Sequence, residues 1–274
     1  MTVQAKDFMF NGVLLSSLNN DYELVSFDTS PSDTSVGFMD NKVEMSDINY
    51  NSPIVHFYHS TAKDTLQFDI MISKRNGKYL TQSEIRELSG WLTSPISPKV
   101  LSFVKYKRDD GTAVYEDLEY IGVFNKAEYS EMGQVQKMGV GFSFTNISAF
   151  AFTKESEVNV NNTLEDKTII ISSDGTATGL PIYPVIEIMP TEDGTVFITN
   201  LSNKNDTGFG VNVKNGEKII IKDFNVFSDD GSLYSFDNLT SLMFPYLIDG
   251  DNEIKIQGRC TCKFIYRFLE NIGV

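Results

Sequence analysis

Apolar residues recur at every second position along much of this chain. Leu66, Phe68, Ile70 and Ile72 share one phase, with Gln67, Asp69 and Met71 in the other. Met138, Val140, Phe142 and Phe144 repeat the pattern, interleaved with Gly139, Gly141, Ser143 and Thr145. Successive side chains of a strand point to opposite faces, so this alternation predicts strands with one buried face. By the same reading, strands are expected at Tyr22–Phe27, Ile54–Tyr58, Val100–Lys107 and Tyr120–Ala127. Beyond residue 165 they are expected at Thr168–Ser172, Val185–Met189, Thr195–Leu201, Gly208–Val213, Glu217–Ile221, Glu253–Gln257 and Arg259–Phe268. Many short strands separated by Gly, Asn and Asp turns indicate β-sandwiches or barrels.

One segment changes period. In Thr81–Leu92, Thr81 and Glu84 have capping-box spacing, in which each side chain satisfies a backbone donor of the other. Ile85, Leu88, Trp91 and Leu92 then lie on one helical face, and Ser94-Pro95 and Ser97-Pro98 stop the helix. A lone Trp on that face could stack on a ligand, but a core anchor pinning the helix to a sheet is the simpler reading.

The polar stretch 153–164 (TKESEVNVNNTL) has few bulky apolar residues and is expected to be a linker. It separates a domain of residues 1–152 from one of residues 165–274. Each is long enough for its own core, since domains run to roughly 100–200 residues. No internal repeat is visible.

Charge narrows the function classes. The chain carries 23 Lys+Arg against 37 Asp+Glu, a net −14. The first 152 residues hold 13 basic and 19 acidic side chains and the remainder 10 and 18, so neither half is a basic arm. Such a balance counts against a grip on nucleic acid, which depends on neutralising phosphates. No run approaches the ~18 apolar residues of a membrane span, and the N-terminus does not read as a signal peptide. A soluble protein made in a cytoplasm is expected.

Candidate chemistry is sparse. Cys260 and Cys262 would share a strand face, with Cα atoms about 6.5–7 Å apart, at the edge of disulfide geometry, so two reduced thiols are expected. A metal site joining them to His56 and His59, the two histidines, has no known zinc spacing. Asp249-Gly250-Asp251-Asn252-Glu253 begins like a calcium loop but lacks the later Gly and Glu, so a turn entering a strand fits better. Asp229-Asp230-Gly231 reads as a hairpin turn. No nucleophile elbow, HExxH, Walker loop or dinucleotide fingerprint occurs. No catalytic, cofactor-binding or metal residue is assigned.

Several local patterns together resemble the distal tail protein (Dit) family of long-tailed phages with non-contractile tails. Asp7-Phe8-Met9-Phe10-Asn11-Gly12-Val13 looks like its opening strand and Asn-Gly turn, and the Trp91-Leu92 helix end is similar to its single helix. Gly141–Phe144 with Ala149–Phe152 looks like its last N-terminal strand and exit. Phe244–Ile254, which contains Gly250-x-Asn252-x-Ile254, resembles a late turn-and-strand passage, followed by Tyr266-Arg267-Phe268. The family's usual Pro-Gly in that turn is Asp249-Gly250 here. The resemblance runs through nearly the whole chain in order.

That resemblance implies a mainly β protein of two β-sandwiches. The N-terminal one is a belt with one short helix that closes a six-fold ring, and the C-terminal one is galectin-like. It implies a virion protein at the tail tip, a homo-hexamer or stacked hexamers, without cofactor or enzyme activity. Its partners would be the tail-tube protein, the tail-tip or tail-associated protein, and receptor-binding or baseplate proteins, with DNA passing through the lumen. The alternative reading is a carbohydrate-binding module in the tail, with the C-terminal sandwich holding host saccharide; it needs a Trp or exposed aromatic platform with convergent polar groups, and the single Trp, Trp91, lies in the first half. A third, a wall-cleaving enzyme, needs a carboxylate pair that sequence alone does not single out.

Overall fold

A computed structural model describes residues 6–25, 41–46, 57–62, 66–131, 137–163, 166–173, 175–176, 179–203 and 208–270. Two compact units part between Phe152 and Thr153.

In the first unit, β1 (Phe8–Phe10) and β2 (Val13–Leu14) form a hairpin, followed by a helical turn α1 (Leu15–Leu18) and β3 (Tyr22–Val25). β4 (Asn41–Ser46) pairs with β5 (Phe57–Ala62) as a separate two-stranded sheet. β6 (Gln67–Lys74), helix α2 (Gln82–Thr93), β7 (Lys99–Lys107), β8 (Ala113–Glu131) and β9 (Lys137–Asn146) complete the main elements, with β10 (Ala151–Thr153) at the unit's end. The main sheet follows the order β2-β1-β7-β8-β9-β6-β3, antiparallel throughout.

The expected alternation sets the register. Phe68, Ile70 and Ile72 lie opposite Phe144, Phe142 and Val140, and Ile70, Ile72, Val140, Phe142 and Phe144 are buried together. The 19-residue β8 pairs first with β7 and then with β9, with register shifts beside Val104 and between Phe124 and Lys126. Gly122 sits where a Cβ would meet Thr145 O at 2.1 Å and the Phe144 ring at 2.7 Å, so only glycine allows that close strand approach.

Helix α2 forms as its sequence predicts. Glu84 N donates to Thr81 Oγ1 (3.3 Å) and Thr81 N donates to Glu84 Oε2 (2.8 Å). Lys74 Nζ adds an ion pair to Glu84 Oε1 at 2.6 Å, tying the helix start to β6. Ile85, Leu88 and Leu92 are buried, and α2 packs against β8. A single helix was expected, but α1 is a second. Its four residues, Leu-Ser-Ser-Leu, are too few to show a helical period.

The second unit is a β-sandwich of two five-stranded sheets. One runs β11 (Ser156–Asn162), β20 (Cys260–Tyr266), β13 (Val185–Pro190), β16 (Ile219–Lys222), β17 (Asn225–Ser228). The other runs β12 (Asp166–Ser173), β19 (Gly250–Gln257), β14 (Gly194–Asn200), β15 (Gly208–Val213), β18 (Leu239–Leu242). A short β21 (Leu269–Glu270) follows β20. The two inner faces share one core. Ile186, Ile188 and Phe264 come from the first sheet, and Ile198, Phe209 and Ile256 from the second.

The stretch 153–164 is not a linker. Its residues 156–162 are β11, paired with β20 from Ser156↔Tyr266 to Asn162↔Cys260. Val160 and Asn162 are buried while their neighbours face outward, and this polar outward face hides an edge strand from a hydrophobicity reading.

Candidate functional site

The residues singled out for chemistry scatter. His56 lies outside the described residues, and His59 stands on β5 opposite Glu44. Among the described residues no three His, Cys, Asp or Glu side chains gather to hold a metal. Cys260 and Cys262 do share a face of β20. Their sulfurs are 3.4 Å apart, and neither has any solvent exposure. The hydrogen bond between them pushes Cys262 well above the ordinary thiol range and lowers Cys260. These are core side chains without access to a ligand.

The calcium-like stretch is a structural knot. Asn252 is wholly buried; its Nδ2 donates to Ile248 O (2.7 Å), Gly250 O (3.1 Å) and Ile171 O (3.2 Å). Its Oδ1 accepts from Ile248 N (2.8 Å) and Asn200 Nδ2 (3.0 Å). Asp251 Oδ1 accepts from Ser172 Oγ and Asp249 Oδ2 from Gly179 N, so the acidic groups diverge instead of surrounding a cation. At the other turn, hydrogen bonds from Ser232 and Ser228 hold Asp230 down at about 2.

In the first unit, Trp91 joins two of the sequence's distinctive segments. Its indole stacks on Phe8 (centroids 5.4 Å, 17° between planes) and meets Phe10 edge-on at 6.3 Å. The Asn11-Gly12 turn, with φ of 52° and 76°, is the left-handed pair that a two-residue hairpin requires and returns the chain after those two rings. Close by, Asp7 Oδ1 accepts from Phe8 N and Ser16 N, while Lys107 Nζ lies 2.8 Å from Asp7 Oδ2 and donates to Ser16 Oγ at 2.7 Å. A Ser–Lys pair invites comparison with a nucleophile and its base. Here the ammonium is already donating to the serine and paired with a carboxylate, and Ser16 is buried, so the group fastens β1, α1 and β7.

Sequence reasoning missed the most unusual surface of the second unit. The β16–β17 hairpin turns through Asp223 and Phe224, both left-handed, with φ of 50° and 59°. A bulky residue in that conformation costs roughly 1–2 kcal/mol, a strain that glycine avoids. The ring so placed is 58% exposed. It meets Tyr183 at 4.5 Å and Phe244 at 5.8 Å, both edge-on, and Tyr183 meets Tyr246 at 5.7 Å. Tyr183 is itself 44% exposed. Tyr183, Phe224 and Phe244 line a shallow, open depression that also includes Pro184, Lys222 and Asp223. A reciprocal backbone bridge, Ile182 to Leu247, fixes the segments carrying Tyr183 and Tyr246. Asn200 Nδ2, from the buried knot, donates to Tyr246 O at 2.7 Å.

Two family models match the chain in sequence. One, described as a phage tail protein N-terminal domain, matches residues 3–148, and the other, a phage tail C-terminal domain, matches residues 150–266. No curated protein matches. Among solved structures, the chain is similar to the Dit protein of phage SPP1, described as a paradigm of the hub adsorption apparatus in phages infecting Gram-positive hosts. The TM-score is 0.61 at 14% identity, covering 97% of this chain and 100% of that one. It is also similar to a chain of the phage P2 baseplate in its activated conformation with Ca (TM-score 0.52, 10% identity, 97% and 98% covered). The corresponding structure with Sr gives 0.53 at 10% identity, covering 96% and 97%. At these identities the likeness is one of fold.

Proposed function

Because the chain belongs to the phage tail protein family described by those two domain models, we propose that it forms a hexameric ring at the distal end of a phage tail. It is a structural component of the virion, similar in fold to hub proteins of the tail and baseplate. In this reading the first unit closes the ring, and the second, a galectin-like sandwich, faces outward. The ring joins the tail tube to the tail-tip protein and to baseplate or receptor-binding parts, after assembly in the cytoplasm of the infected cell. It performs no catalysis and needs no cofactor.

The observation that carries the reading is the match of both domain models, in order, over residues 3–148 and 150–266, on a chain similar in fold to the whole solved chain of a hub protein. Charge supports it. A ring that DNA must traverse should not hold phosphates, and a chain of net −14 repels them. Cyclic closure needs two different complementary surfaces on each subunit, a demand that a protein without a catalytic cleft can meet.

Native mass spectrometry and negative-stain imaging of the full chain test it. Six-fold rings, single or stacked back to back, are the expected result. A species that stays monomeric at high concentration, both alone and with tail partners, overturns the ring. The alternative of a carbohydrate-binding tail module is favoured by one observation, the exposed aromatic surface around Phe224.

A further inference from the structure

We propose that the Tyr183–Phe224 surface of the second unit is a saccharide-binding site that takes one pyranose ring, with Lys222 and Asp223 meeting its hydroxyls. Three independent features of the surface lead there.

The first is the ring pair itself. Phe224 and Tyr183 are about half exposed and stand edge-to-face at 62°, so each turns an aromatic surface toward solvent beside the same depression. A pyranose presents one face of C–H groups flanked by equatorial hydroxyls. Dispersion and the ring quadrupole favour that C–H face against an aromatic plane. The hydroxyls then need charged or strongly polar partners at the edge of the ring. Lys222 and Asp223 are exposed at that edge, and neither is held in an ion pair among the described residues.

The second is preorganisation. Phe224 and Asp223 occupy left-handed backbone conformations where glycine would be the relaxed choice, and Asn225 Nδ2 braces the turn by donating to Asp223 O at 2.8 Å. The two-residue hairpin demands this left-handed pair, and at Phe224 it fixes a bulky ring where glycine would be relaxed, so the ring is held in one place by the backbone. Behind the rings, Pro184 and Pro245 are buried, and the Ile182–Leu247 bridge with the Asn200–Tyr246 hydrogen bond holds the backbone. A weak ligand such as a sugar gains most from a surface that pays no ordering entropy on binding.

The third is shape. The depression is shallow and open, a platform and not an enclosed cavity, so a small flat ligand would lie across the rings. A helix or an extended peptide would need a long apolar groove. Here charged residues interrupt the surface at Lys222 and Asp223. The inference concerns the second unit alone and does not depend on ring closure, which native mass spectrometry reads separately.

The test is saturation-transfer NMR on the full chain with galactose, glucose, rhamnose, N-acetylglucosamine and N-acetylgalactosamine, each at millimolar concentration. At least one sugar is expected to receive saturation on its ring C–H protons. Phe224→Gly should weaken that sugar's binding at least tenfold while the melting temperature holds or rises, because glycine relaxes the turn. Tyr183→Ala should also weaken it, and Phe236→Ala, which removes an exposed ring outside the cluster, should leave it unchanged. Absence of transfer to every sugar overturns the proposal, as does transfer that Phe224→Gly leaves intact. If instead a purified tail protein binds the chain and Phe224→Gly abolishes that contact without any sugar binding, the surface is a protein dock and the proposal fails.

Discussion

Asn200 donates from Nδ2 to the Oδ1 of Asn252 at 3.0 Å, and neither residue has any solvent exposure. Two amides buried together are tolerable only if their remaining hydrogen-bonding groups are also satisfied. Asn252 makes five hydrogen bonds, four of them to backbone groups of Ile248, Gly250 and, on β12, Ile171. Asn200 turns its own oxygen to Ser202 N.

Asn252→Leu should therefore destabilise the second unit by about 3 kcal/mol or more, because it strands a backbone N–H and several carbonyls in the core. Asn252→Asp should be at least as harmful, since it sets a carboxylate oxygen against three carbonyls. Hydrogen exchange of peptides spanning residues 171 and 246–256 reads both effects. Protection close to wild type in either variant would mean that the knot contributes little.

Trp91→Ala should cost the first unit about 3–5 kcal/mol, the usual range for emptying a large aromatic site. The indole Nε1 is buried without a hydrogen-bond partner, so Trp91→Phe gives up no hydrogen bond and should cost about 1 kcal/mol or less. Denaturant unfolding followed by circular dichroism separates the two. Equal losses would point to an unseen partner for the indole N–H.

Stability should fall at both ends of the pH range. The carboxyls of Asp230 (held by Ser232 and Ser228, about 2), Glu157 (by Lys263) and Asp166 (by Lys255) titrate below their ordinary values in the folded chain. Their contribution is present above about pH 4 and is lost as pH falls from 4 toward 2. Burial pushes Tyr22 and Tyr234 up to about 12, aided at Tyr234 by its hydrogen bond to Glu217. That contribution is complete below pH 10 and is lost as pH rises toward 12. Melting temperatures measured against pH check this, and Asp230→Asn should flatten the acid limb.

The buried thiols give a chemical readout of the second unit. Cys260 and Cys262 should resist a thiol reagent in the folded chain and both react once it unfolds. Rapid native labelling of either would show that the sandwich opens near β20.

Division of the chain gives the last prediction. Residues 1–152 alone should form rings, and residues 153–274 should fold as a β-rich monomer. A fragment of residues 165–274 lacks β11, so it leaves β20 as an open edge above Cys262 and Phe264 and should aggregate or melt lower. Equal stability of the two fragments would show that β11 is dispensable. A monomeric first fragment would reverse the assigned roles.

Much of this fold was legible because burial follows period. Ile70, Ile72, Val140 and Phe142 announce their strands, and Thr81 with Glu84 announces α2, since in each case local pattern and tertiary demand agree. β11 was hidden because an edge strand with one solvated face needs only Val158 and Val160 inside. Asn252 read as part of a turn entering a strand, and its burial was not legible because composition cannot tell a buried amide from a solvated one. Its place in Gly250-x-Asn252-x-Ile254 was the available signal. Phe224 was invisible as a site for another reason. Asp223 suits a left-handed turn position, but nothing in Lys222-Asp223-Phe224-Asn225 tells that the bulky Phe224 takes the second one and stands exposed.

The β11–β20 ladder also bears on how such a chain can change over evolution. Ser156, near the start of the second unit, is the direct partner of Tyr266, near its end. Paired residues on antiparallel strands sit only about 5 Å apart. Within the second unit the two ends of the chain therefore lie side by side, and a replacement needs only two neighbouring strand ends to be spliced there. Recombination that joins the chain beside this pair exchanges, enlarges or deletes the sandwich while the flanking ends stay next to each other.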